Sequence, residues 1–288
     1  MKIIESPEEL QKETSNYRVQ GKKIGFVPTM GFLHEGHEQL ISQAKKQNEI
    51  VVLSIFVNPL QFGEGEDLDH YPRDEKHDRE VARRLGVDII FFPTVKSMYP
   101  SEPAIKLSVT KRTNVLCGKS RPGHFDGVVT VLAKLFHLCQ PSAAYFGMKD
   151  AQQVAVVKAL VDDLNFPVEI VPVPTVREKD GLAKSSRNVN LSPHEREEAP
   201  AIQKALQKGR KMIKNGEKDI QSVKTAVNTF IENNTHGKID YIELLSYPNL
   251  EPVDRPAGKM ILATAVKFEK ARLIDNLVFD SNGEITIG

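Results

Sequence analysis

Two histidines and two glycines stand close together in one short stretch of the sequence. Residues 28–40 read Pro-Thr-Met-Gly-Phe-Leu-His-Glu-Gly-His-Glu-Gln-Leu, which places Gly31, His34, Gly36 and His37 near one another. Histidines three residues apart share one face of a helix, and the N-terminus of a helix attracts anions. Glycine tolerates positive φ and lets a ligand approach the main chain. The pattern favours a phosphate site, and a loop with solvated histidines is the alternative.

The elements on either side of this stretch fit a phosphate site. The apolar run that precedes it predicts a buried strand at Ile24–Thr29. Leu40, Ile41 and Ala44 recur at helical spacing, and they predict a helix that ends near Asn48. A strand that turns through glycines into a helix exposes backbone N–H groups to a bound phosphate.

Strands and helices alternate over the first part of the chain. The other predicted strands are Ile50–Val57, Ile89–Phe92, Ala143–Phe146 and Val168–Val173. The other predicted helices are one from Ser6 to about Val19, then Asp74–Leu85, Val128–Cys139 and Ala151–Leu164. Such alternation predicts an α/β fold with a doubly wound parallel sheet.

The character of the sequence changes after Ser192. The predicted elements there are two helices, Pro193–Asn215 and Asp219–Asn233, and three strands, Ile239–Leu245, Met260–Val266 and Ala271–Asn276. They indicate a small α+β unit with a mostly antiparallel sheet. We therefore expect a large domain over residues 1–176 and a small C-terminal lid domain over residues 177–288.

Polar residues follow the carboxyl ends of several predicted strands. Asn58–Gly63 comes after the second strand, and Gly147–Gln153 comes after the fourth. Thr175–Arg177 and Gly181–Asn188 come after the last strand of the large sheet. Ligands of parallel sheets bind at the carboxyl ends of the strands. Polar groups from separate loops therefore strengthen the prediction of a phosphate site.

Composition excludes several classes of protein. The 288 residues carry a formal net charge of +1, which argues against nucleic acid as the main partner. The N-terminus lacks the apolar core of a signal peptide, and no apolar run has membrane-spanning length. Cys117 and Cys139 match no metal or disulfide spacing, which favours a cytoplasmic location. The acidic run at residues 64–69 predicts a solvated loop rather than a metal site.

With these loops in view, the chain resembles the pantoate–β-alanine ligase family. The segments that carry the resemblance span nearly the whole chain: Pro28–Leu40, Ser54–Phe62, Tyr71–Arg73, Arg121–Val128, Tyr145–Gln153, Thr175–Arg177, Gly181–Asn188 and Ala265–Asn276. The His-x-Gly-His motif alone occurs in many nucleotidyltransferases and class I tRNA synthetases. The specific motifs are Phe-Val-Asn-Pro-x-Gln-Phe at residues 56–62, Gly-x-Lys-Asp at 147–150 and Ser-Ser-Arg at 185–187.

The resemblance implies a Rossmann-like fold and an ATP-dependent ligase that works in two steps. The carboxylate of pantoate would attack the α-phosphate of ATP, which gives pantoyl adenylate and diphosphate. The amine of β-alanine would then displace AMP and form pantothenate. Mg²⁺ should arrive with ATP, held mainly by phosphates and water, so no protein metal ligand is predicted. The resemblance also implies a homodimer formed through the larger domain.

The same resemblance implies roles for individual residues. Catalytic groups would be His34, His37, Lys149, Ser185, Ser186 and Arg187, with His37 as proton donor. The ATP site would comprise Met30, Gly31, Phe32, Leu33, His34, Glu35, Gly36, His37, Gly147, Met148, Lys149, Asp150, Val176, Lys184, Ser185, Ser186 and Arg187. Pantoate would be held by Gln61 and Gln153, with Asn58 near the phosphates and Phe62 against the dimethyl group.

Ordinary structural roles compete with several of these assignments. Gln61 and Gln153 are alternatively surface amides, and Ser185 or Ser186 alternatively caps a turn. Lys149 and Asp150 are alternatively a surface ion pair. Arg121 and His124 are further candidates for the phosphate site. The remaining candidate histidines are expected at the surface: His70, His77, His194 and His236.

Two other functions fit parts of the pattern. The first is a nucleotidyltransferase that adenylates a phosphorylated substrate, which would need further Lys or Arg residues where Gln61, Gln153 and Asn58 stand. The second is a nucleotide-sensing regulatory protein, which predicts an eroded motif, whereas His37 and Lys149 are both present. The chain departs from the family at Lys184, where many members have methionine, and at Cys117-Gly118, where Glu-Gly is frequent.

Overall fold

The computed structural model describes residues 1–63, 65–66 and 68–286. The chain divides into two compact units, each made of several segments. The first unit comprises Met1–Lys111, Arg121–Gly147 and Val156–Val173, and the second comprises Arg112–Ser120, Met148–Ala155 and the chain from Pro174 onward. No helix within the described ranges combines the length and the apolar character needed to cross a membrane.

The first unit contains a parallel sheet, as predicted, and the sheet has six strands where five were predicted. Its strands are β1 (Lys2–Ile4), β2 (Ile24–Thr29), β3 (Ile50–Ile55), β4 (Ile89–Phe91), β5 (Ala143–Gly147) and β6 (Glu169–Val173). Its helices are α1 (Pro7–Val19), α2 (Glu35–Gln47), α3 (Glu75–Arg84), α4 (Val95–Met98) and α6 (His124–Cys139), together with most of α7 (Ala151–Asp163). The strand order is β1-β4-β3-β2-β5-β6.

This strand order places the candidate phosphate loop at the centre of the sheet. β2 pairs with β3 on one side and with β5 on the other, all in parallel. The order of the strands reverses between β2 and β5, and such a switch point opens a crevice at the carboxyl edge. β3 is buried along its whole length, which its continuous apolar sequence predicted. Helix α2 packs on β2, β3 and β5.

Strand β1 and helix α4 were not predicted. β1 pairs with β4 in the register Ile4↔Phe91 and forms the edge of the sheet. Three residues are too few to show an alternation of apolar and polar side chains. The single-turn helix α4 escaped prediction for the same reason.

The second unit contains a three-stranded antiparallel sheet, which confirms the predicted α+β unit. Its strands are β7 (Lys238–Ser246), β8 (Lys259–Lys267) and β9 (Arg272–Asp280), in the order β7-β8-β9. Its helices are α5 (Leu116–Ser120), α8 (Pro193–Glu198), α9 (Ala201–Lys214) and α10 (Ile220–Asn234), together with the first turn of α7. The apolar faces of α9, α10 and the sheet form one core, which includes Leu206, Val227 and Leu262.

The prediction of a single helix over Pro193–Asn215 is wrong. The structure has two helices, α8 and α9, separated at Pro200. Proline has no N–H to donate to the carbonyl one turn earlier, and its ring clashes with that carbonyl. The helix therefore stops after Glu198, and a new helix starts at Ala201.

Candidate functional site

The two histidines of the central loop cap the helix that follows them. Helix α2 begins at Glu35, and His34 is its N-cap residue. The Nδ1 atom of His34 accepts a hydrogen bond from the backbone N–H of Gly36 at 3.1 Å. The Nδ1 atom of His37 accepts one from the backbone N–H of His34 at 3.3 Å. The two rings stack with their centroids 4.1 Å apart.

These hydrogen bonds determine which ring nitrogen carries the proton. Because Nδ1 accepts from a backbone N–H in both rings, the proton of each neutral imidazole lies on Nε2. His34 and His37 therefore each carry an Nε2–H donor, and both stand at the positive end of α2. Two such donors suit the oxygens of a phosphate. A side chain at Gly36 would lie 2.8 Å from the His34 ring and would displace that ring from its capping position.

A buried carboxylate holds the glycine turn before the histidines. Asp78, on α3, is only 2% exposed. Its two oxygens accept the backbone N–H groups of Phe32 at 2.9 Å and Leu33 at 2.7 Å. Burial raises the pKa of Asp78, and the two backbone hydrogen bonds offset only part of that rise. Gly31 has φ +86°, and a Cβ there would lie 2.9 Å from an Asp78 oxygen.

Sequence reasoning missed Asp78, although a signal for its burial existed. Asp78 lies three and four residues before Val81 and Ala82, which are also buried. A carboxylate on the apolar face of a helix needs a hydrogen-bonding partner. His77 is exposed, as predicted, and its Nε2 lies 3.1 Å from the Leu33 carbonyl oxygen.

The remaining predicted residues of this loop surround the histidines. Gly31 and Leu33 are buried, whereas Met30 and Phe32 are half-buried and Glu35 is exposed. The Leu33 side chain belongs to the apolar core of the first unit. Any contact of Leu33 with a ligand would therefore involve its backbone.

Asn58 is fully buried, and its side-chain amide forms hydrogen bonds with other residues of the first unit. Its Nδ2 donates to the side-chain oxygen of Gln61 and to the carbonyl of Gly127, both at 3.1 Å. Its Oδ1 accepts from the Leu60 N–H at 3.3 Å and from the Tyr99 hydroxyl at 3.0 Å. Burial raises the pKa of Tyr99 to about 12, so the hydroxyl stays a donor. Asn58 therefore orients Gln61.

Gln61 is held at both its backbone and its side chain. Because Gln61 Oε1 accepts a hydrogen bond from Asn58, the amide NH₂ group at Nε2 is the end that can donate to a ligand. The Gln61 carbonyl oxygen lies 2.7 Å from His124 Nδ1 and 3.3 Å from Arg121 Nη2. Arg121 in turn forms a bidentate ion pair with Glu66, at 2.7 and 2.6 Å. Arg121 and His124 thus fix the backbone of Gln61.

Glu66 belongs to the acidic run at residues 64–69, of which Glu64 and Asp67 lie outside the described residues. Although burial raises the pKa of Glu66, the hydrogen bonds and charge of Arg121 outweigh that effect and lower it. The carboxylate is therefore committed to an ion pair. Phe62, beside this run, packs edge-on against the ring of Tyr71 at 6.2 Å.

In the second unit, strand β9 fixes the turn that contains Lys149. Met148–Asp150 forms one turn of 3₁₀ helix. Asn276 is 8% exposed, and its Nδ2 donates to the carbonyls of Met148 at 3.0 Å and Lys149 at 2.8 Å. Lys149 is half-buried, and its Nζ lies 3.5 Å from the exposed Asp150 carboxylate.

The same strand fixes the loop that starts at Arg177. Arg177 donates two hydrogen bonds to Asp275, at 2.6 and 2.9 Å, and a third to the Gly181 carbonyl at 3.1 Å. Asp275 also accepts the N–H of Asn276 at 2.8 Å. Asp275 and Asn276 thereby connect two loops that carry predicted site residues. Sequence reasoning gave neither residue a role, although two adjacent polar residues in an apolar strand are a usable signal.

The Lys-Ser-Ser-Arg segment forms a capped turn. Ser185 accepts the backbone N–H of Arg187 at 3.3 Å and caps a 3₁₀ helix over Ser186–Asn190. Lys184 pairs with Glu178 at 2.8 Å, and its N–H donates to the Val176 carbonyl at 2.9 Å. Ser186 is buried.

Lys149 and Ser185 come together in the second unit. They line one small cleft. The other residues that line it are Leu182, Ala183, Asn188, Ile202, Leu273, Ile274 and Asp275. A cationic side chain and a hydroxyl in one cleft suit a phosphate oxygen.

The two neighbouring glutamines after β5 have different environments. Gln152 is buried, and its Nε2 donates to the carbonyls of Arg112 and Val115, both at 2.8 Å. Gln153 is half-buried. Gln152 therefore holds the Arg112–Val115 segment, and Gln153 remains the candidate for substrate binding.

Replacement of Asn276 with alanine tests the support of the Lys149 turn. Two carbonyls then lose their donors, so we expect a loss of about 1–3 kcal/mol in the free energy of unfolding. Thermal denaturation measures this loss. Asn282→Ala, at an exposed turn, is the control, and equal behaviour of the two variants would contradict this role for Asn276.

The fold and the central loop define a doubly wound α/β protein with a histidine-capped helix at the carboxyl edge of its sheet. The Pantoate-beta-alanine ligase family profile matches residues 2–278. Pantothenate synthetase of Geobacillus sp. (strain WCH70) is 56% identical over 273 residues, covering 95% of this chain and 97% of that protein. Pantothenate synthetase of Bacillus pumilus is 57% identical over 279 residues, covering 97% and 96%.

Solved structures agree with the sequence comparisons. Pantothenate synthetase from Thermus thermophilus superposes with a TM-score of 0.90 at 44% identity, covering 96% of this chain and 99% of that one. Pantoate-beta-alanine ligase from Francisella tularensis, complexed with beta-gamma ATP and beta-alanine, gives a TM-score of 0.80 at 35% identity, with 98% of both chains covered. The chain therefore belongs to the pantoate–β-alanine ligase family. It is a ligase that joins pantoate to β-alanine and forms pantothenate.

Proposed function

We propose that the chain makes pantothenate from pantoate, β-alanine and ATP through a pantoyl-adenylate intermediate. A carboxylate oxygen of pantoate forms a bond to the α-phosphorus of ATP, and the bond from that phosphorus to the bridging oxygen breaks. Diphosphate leaves. The amine of β-alanine then attacks the acyl carbon, AMP leaves, and an amide forms. The observation that carries the proposal is the pair of Nε2–H donors on His34 and His37.

The paired donors fit what this chemistry requires. Attack on a phosphate places negative charge on the phosphate oxygens and on the leaving group, so fixed donors and cations are the main catalytic need. Their backbone hydrogen bonds hold both rings before any substrate binds. We assign His37 as the proton donor and His34 as a second donor to the phosphates.

A cation is the other group that this chemistry needs. We assign Lys149, Ser185, Ser186 and Arg187 to the phosphates, supported by the shared cleft of Lys149 and Ser185. The other proposed ATP contacts are Asp150 on the ribose, the Val176 backbone on adenine, Lys184 on the diphosphate, and the backbones of Met30–His37 and Gly147–Met148. Mg²⁺ enters as part of the substrate MgATP, bound by phosphate oxygens and water.

Amide groups suit the other substrate. Pantoate carries hydroxyls and one carboxylate, and an amide offers both a donor and an acceptor. We assign Gln61 and Gln153 to pantoate, and Phe62 to its dimethyl group. The hydrogen bond from Asn58 to Gln61 Oε1 supports this assignment, because it leaves the amide NH₂ group of Gln61 to donate to the ligand.

We further propose a cytoplasmic homodimer. The large domain over residues 1–176 would form the dimer contact, and the domain over residues 177–288 would act as a lid. Sedimentation of the purified chain measures the dimer directly. A monomer at micromolar concentration would refute it.

Pyrophosphate release tests the proposed reaction. With MgATP and pantoate alone, we expect one stoichiometric burst per active site. Added β-alanine should convert the burst to steady turnover. Release only with both substrates and no burst would argue against a free-standing adenylate step. Release that requires a phosphorylated substrate instead would favour a nucleotidyltransferase.

Replacement of Gln61 with alanine tests the pantoate assignment. Loss of a hydrogen bond to a charged group costs about 1.5–3 kcal/mol, so we expect the KM for pantoate to rise by about 10- to 100-fold. The KM for ATP should stay within about twofold of the wild-type value on the same reasoning. Gln39→Ala, an exposed amide on α2, is the control. Equal increases in both KM values would remove Gln61 from the pantoate site.

A further inference from the structure

Three side chains with metal-ligating atoms meet at the surface of the second unit. His194 and Glu198 lie one helical turn apart on α8, and His236 follows α10. Their ligating atoms all lie within 4.8 Å of one another. We propose that this His–Glu–His cluster (His194, Glu198 and His236) binds a divalent transition-metal ion of the zinc type.

The spacing of the donor atoms fits tetrahedral coordination. Metal–ligand bonds of about 2.0–2.1 Å in a tetrahedron place neighbouring donors about 3.3 Å apart. His194 Nδ1 lies 3.3 Å from Glu198 Oε1, which is this spacing. His236 Nδ1 lies 2.5 Å from the same oxygen, so the ring must withdraw by about 0.8 Å to admit the ion. The donor atoms of the third pair, His194 and His236, lie within 4.8 Å of each other.

The carboxylate of the His–Glu–His cluster is already oriented. Glu198 Oε2 accepts a hydrogen bond from the backbone N–H of His236 at 3.0 Å. The other oxygen, Oε1, faces both imidazoles. The Glu198 side chain is 13% exposed, whereas His194 and His236 are 69% and 82% exposed. Such outer hydrogen bonds orient metal ligands. An ion from solvent can reach the imidazoles, and water can complete its coordination.

The backbone around Glu198 is also fixed. Ser192 and Glu195 form a reciprocal capping box at the start of α8. Glu195 also accepts the N–H of Glu269 at 2.8 Å. Helix α8 ends directly after Glu198, as the proline at residue 200 requires. Two of the three ligands thus lie on a short, anchored helix.

The donor set selects among metals. Two imidazole nitrogens and one carboxylate oxygen suit Zn²⁺, Co²⁺, Ni²⁺ and Cu²⁺, whereas Mg²⁺ and Ca²⁺ prefer oxygen ligands throughout. The ion would be separate from the Mg²⁺ that accompanies ATP.

A bound ion would connect two segments of the second unit. Glu198 belongs to α8, and His236 belongs to the connection between α10 and β7. An ion that binds the folded chain and not the unfolded chain raises the apparent stability. The His–Glu–His cluster is therefore expected to stabilise the second unit rather than to take part in ligation.

Calorimetric titration of the untagged full chain with Zn²⁺ tests the proposal, together with the visible absorption of Co²⁺. We expect one ion to bind per chain. The midpoint of thermal unfolding should rise with added Zn²⁺ and fall back to its original value when a chelator is added. His236→Ala, His194→Ala and Glu198→Gln should each weaken binding by at least about tenfold. His137→Gln, at an exposed histidine on α6, should bind as the wild type does. Excess Mg²⁺ should not compete.

No binding of Zn²⁺ or Co²⁺ at micromolar concentration would overturn the proposal. Unchanged affinity in both His236→Ala and Glu198→Gln would do the same, because the ion would then bind elsewhere. Pyrophosphate release serves as the test of folding, since these residues lie outside the proposed catalytic groups. If Glu198→Gln fails that test, the affinity of His236→Ala decides, because the His236 side chain is 82% exposed and its replacement is expected to leave the fold intact.

Discussion

Replacement of His37 with asparagine is expected to slow adenylate formation by about 10²- to 10³-fold, the effect of removing one preorganised donor to a transition state. Asparagine separates the two functions of the ring. Its side-chain oxygen stands where Nδ1 stands and can still accept the N–H of His34, a bond of 3.3 Å in the structure. It has no atom in place of Nε2. The helix cap is therefore kept while the donor to the phosphate is lost.

Single-turnover formation of diphosphate measures this effect, and two further variants complete the test. His37→Ala should be as slow as His37→Asn, and it should also unfold at a lower temperature because the cap is lost. His37→Gln places an amide NH₂ group near the position of Nε2 and should recover part of the rate. A rate near that of the wild type in His37→Asn would show that His37 only caps the helix.

The central loop could be predicted because its chemistry is local in sequence. The bonds that orient His34 and His37 join residues two and three positions apart. Strand β2 and helix α2 also have clear periodic patterns, and their observed bounds are close to those predicted. Local spacing therefore predicted both elements and placed the two histidines on one face at the start of the helix.

The residues that support the site could not be predicted in the same way. Asp78 bonds to the N–H of Phe32 from 46 positions away, and Asn276 bonds to the carbonyl of Lys149 from 127 positions away. Periodicity shows that such a position is buried, but it does not identify the atom that its polar group meets. Only the fold brings these partners together.

The break between α8 and α9 shows a conflict between two local signals. The amphipathic pattern continues through Pro200, and it favours one long helix. The missing N–H of proline favours a stop. In the structure the stop prevails, because a second helix can still place Ile202 and Leu206 in the core.

Replacement of Gly127 with alanine is expected to damage the pantoate site more than any change to an exposed residue. A Cβ at Gly127 would lie 2.0 Å from the carbonyl oxygen of Leu60 and 2.7 Å from the backbone nitrogen of Gln61. These are backbone atoms, so α6 and the turn at Pro59–Gln61 must separate. The hydrogen bond from Asn58 to the Gly127 carbonyl, 3.1 Å long, would then be lost, and Gln61 would move.

The Gly127→Ala change should lower the free energy of unfolding by about 3 kcal/mol, the upper part of the range for overpacked cores. The KM for pantoate should rise at least as much as in Gln61→Ala, because the whole turn moves rather than one side chain. Thermal denaturation and kinetics measure the two effects. Gly147→Ala is the control for stability, since its added carbon meets no atom within 4 Å. If Gly127→Ala is as stable as that control and keeps its affinity for pantoate, the contact between α6 and the Gln61 turn does not position the substrate.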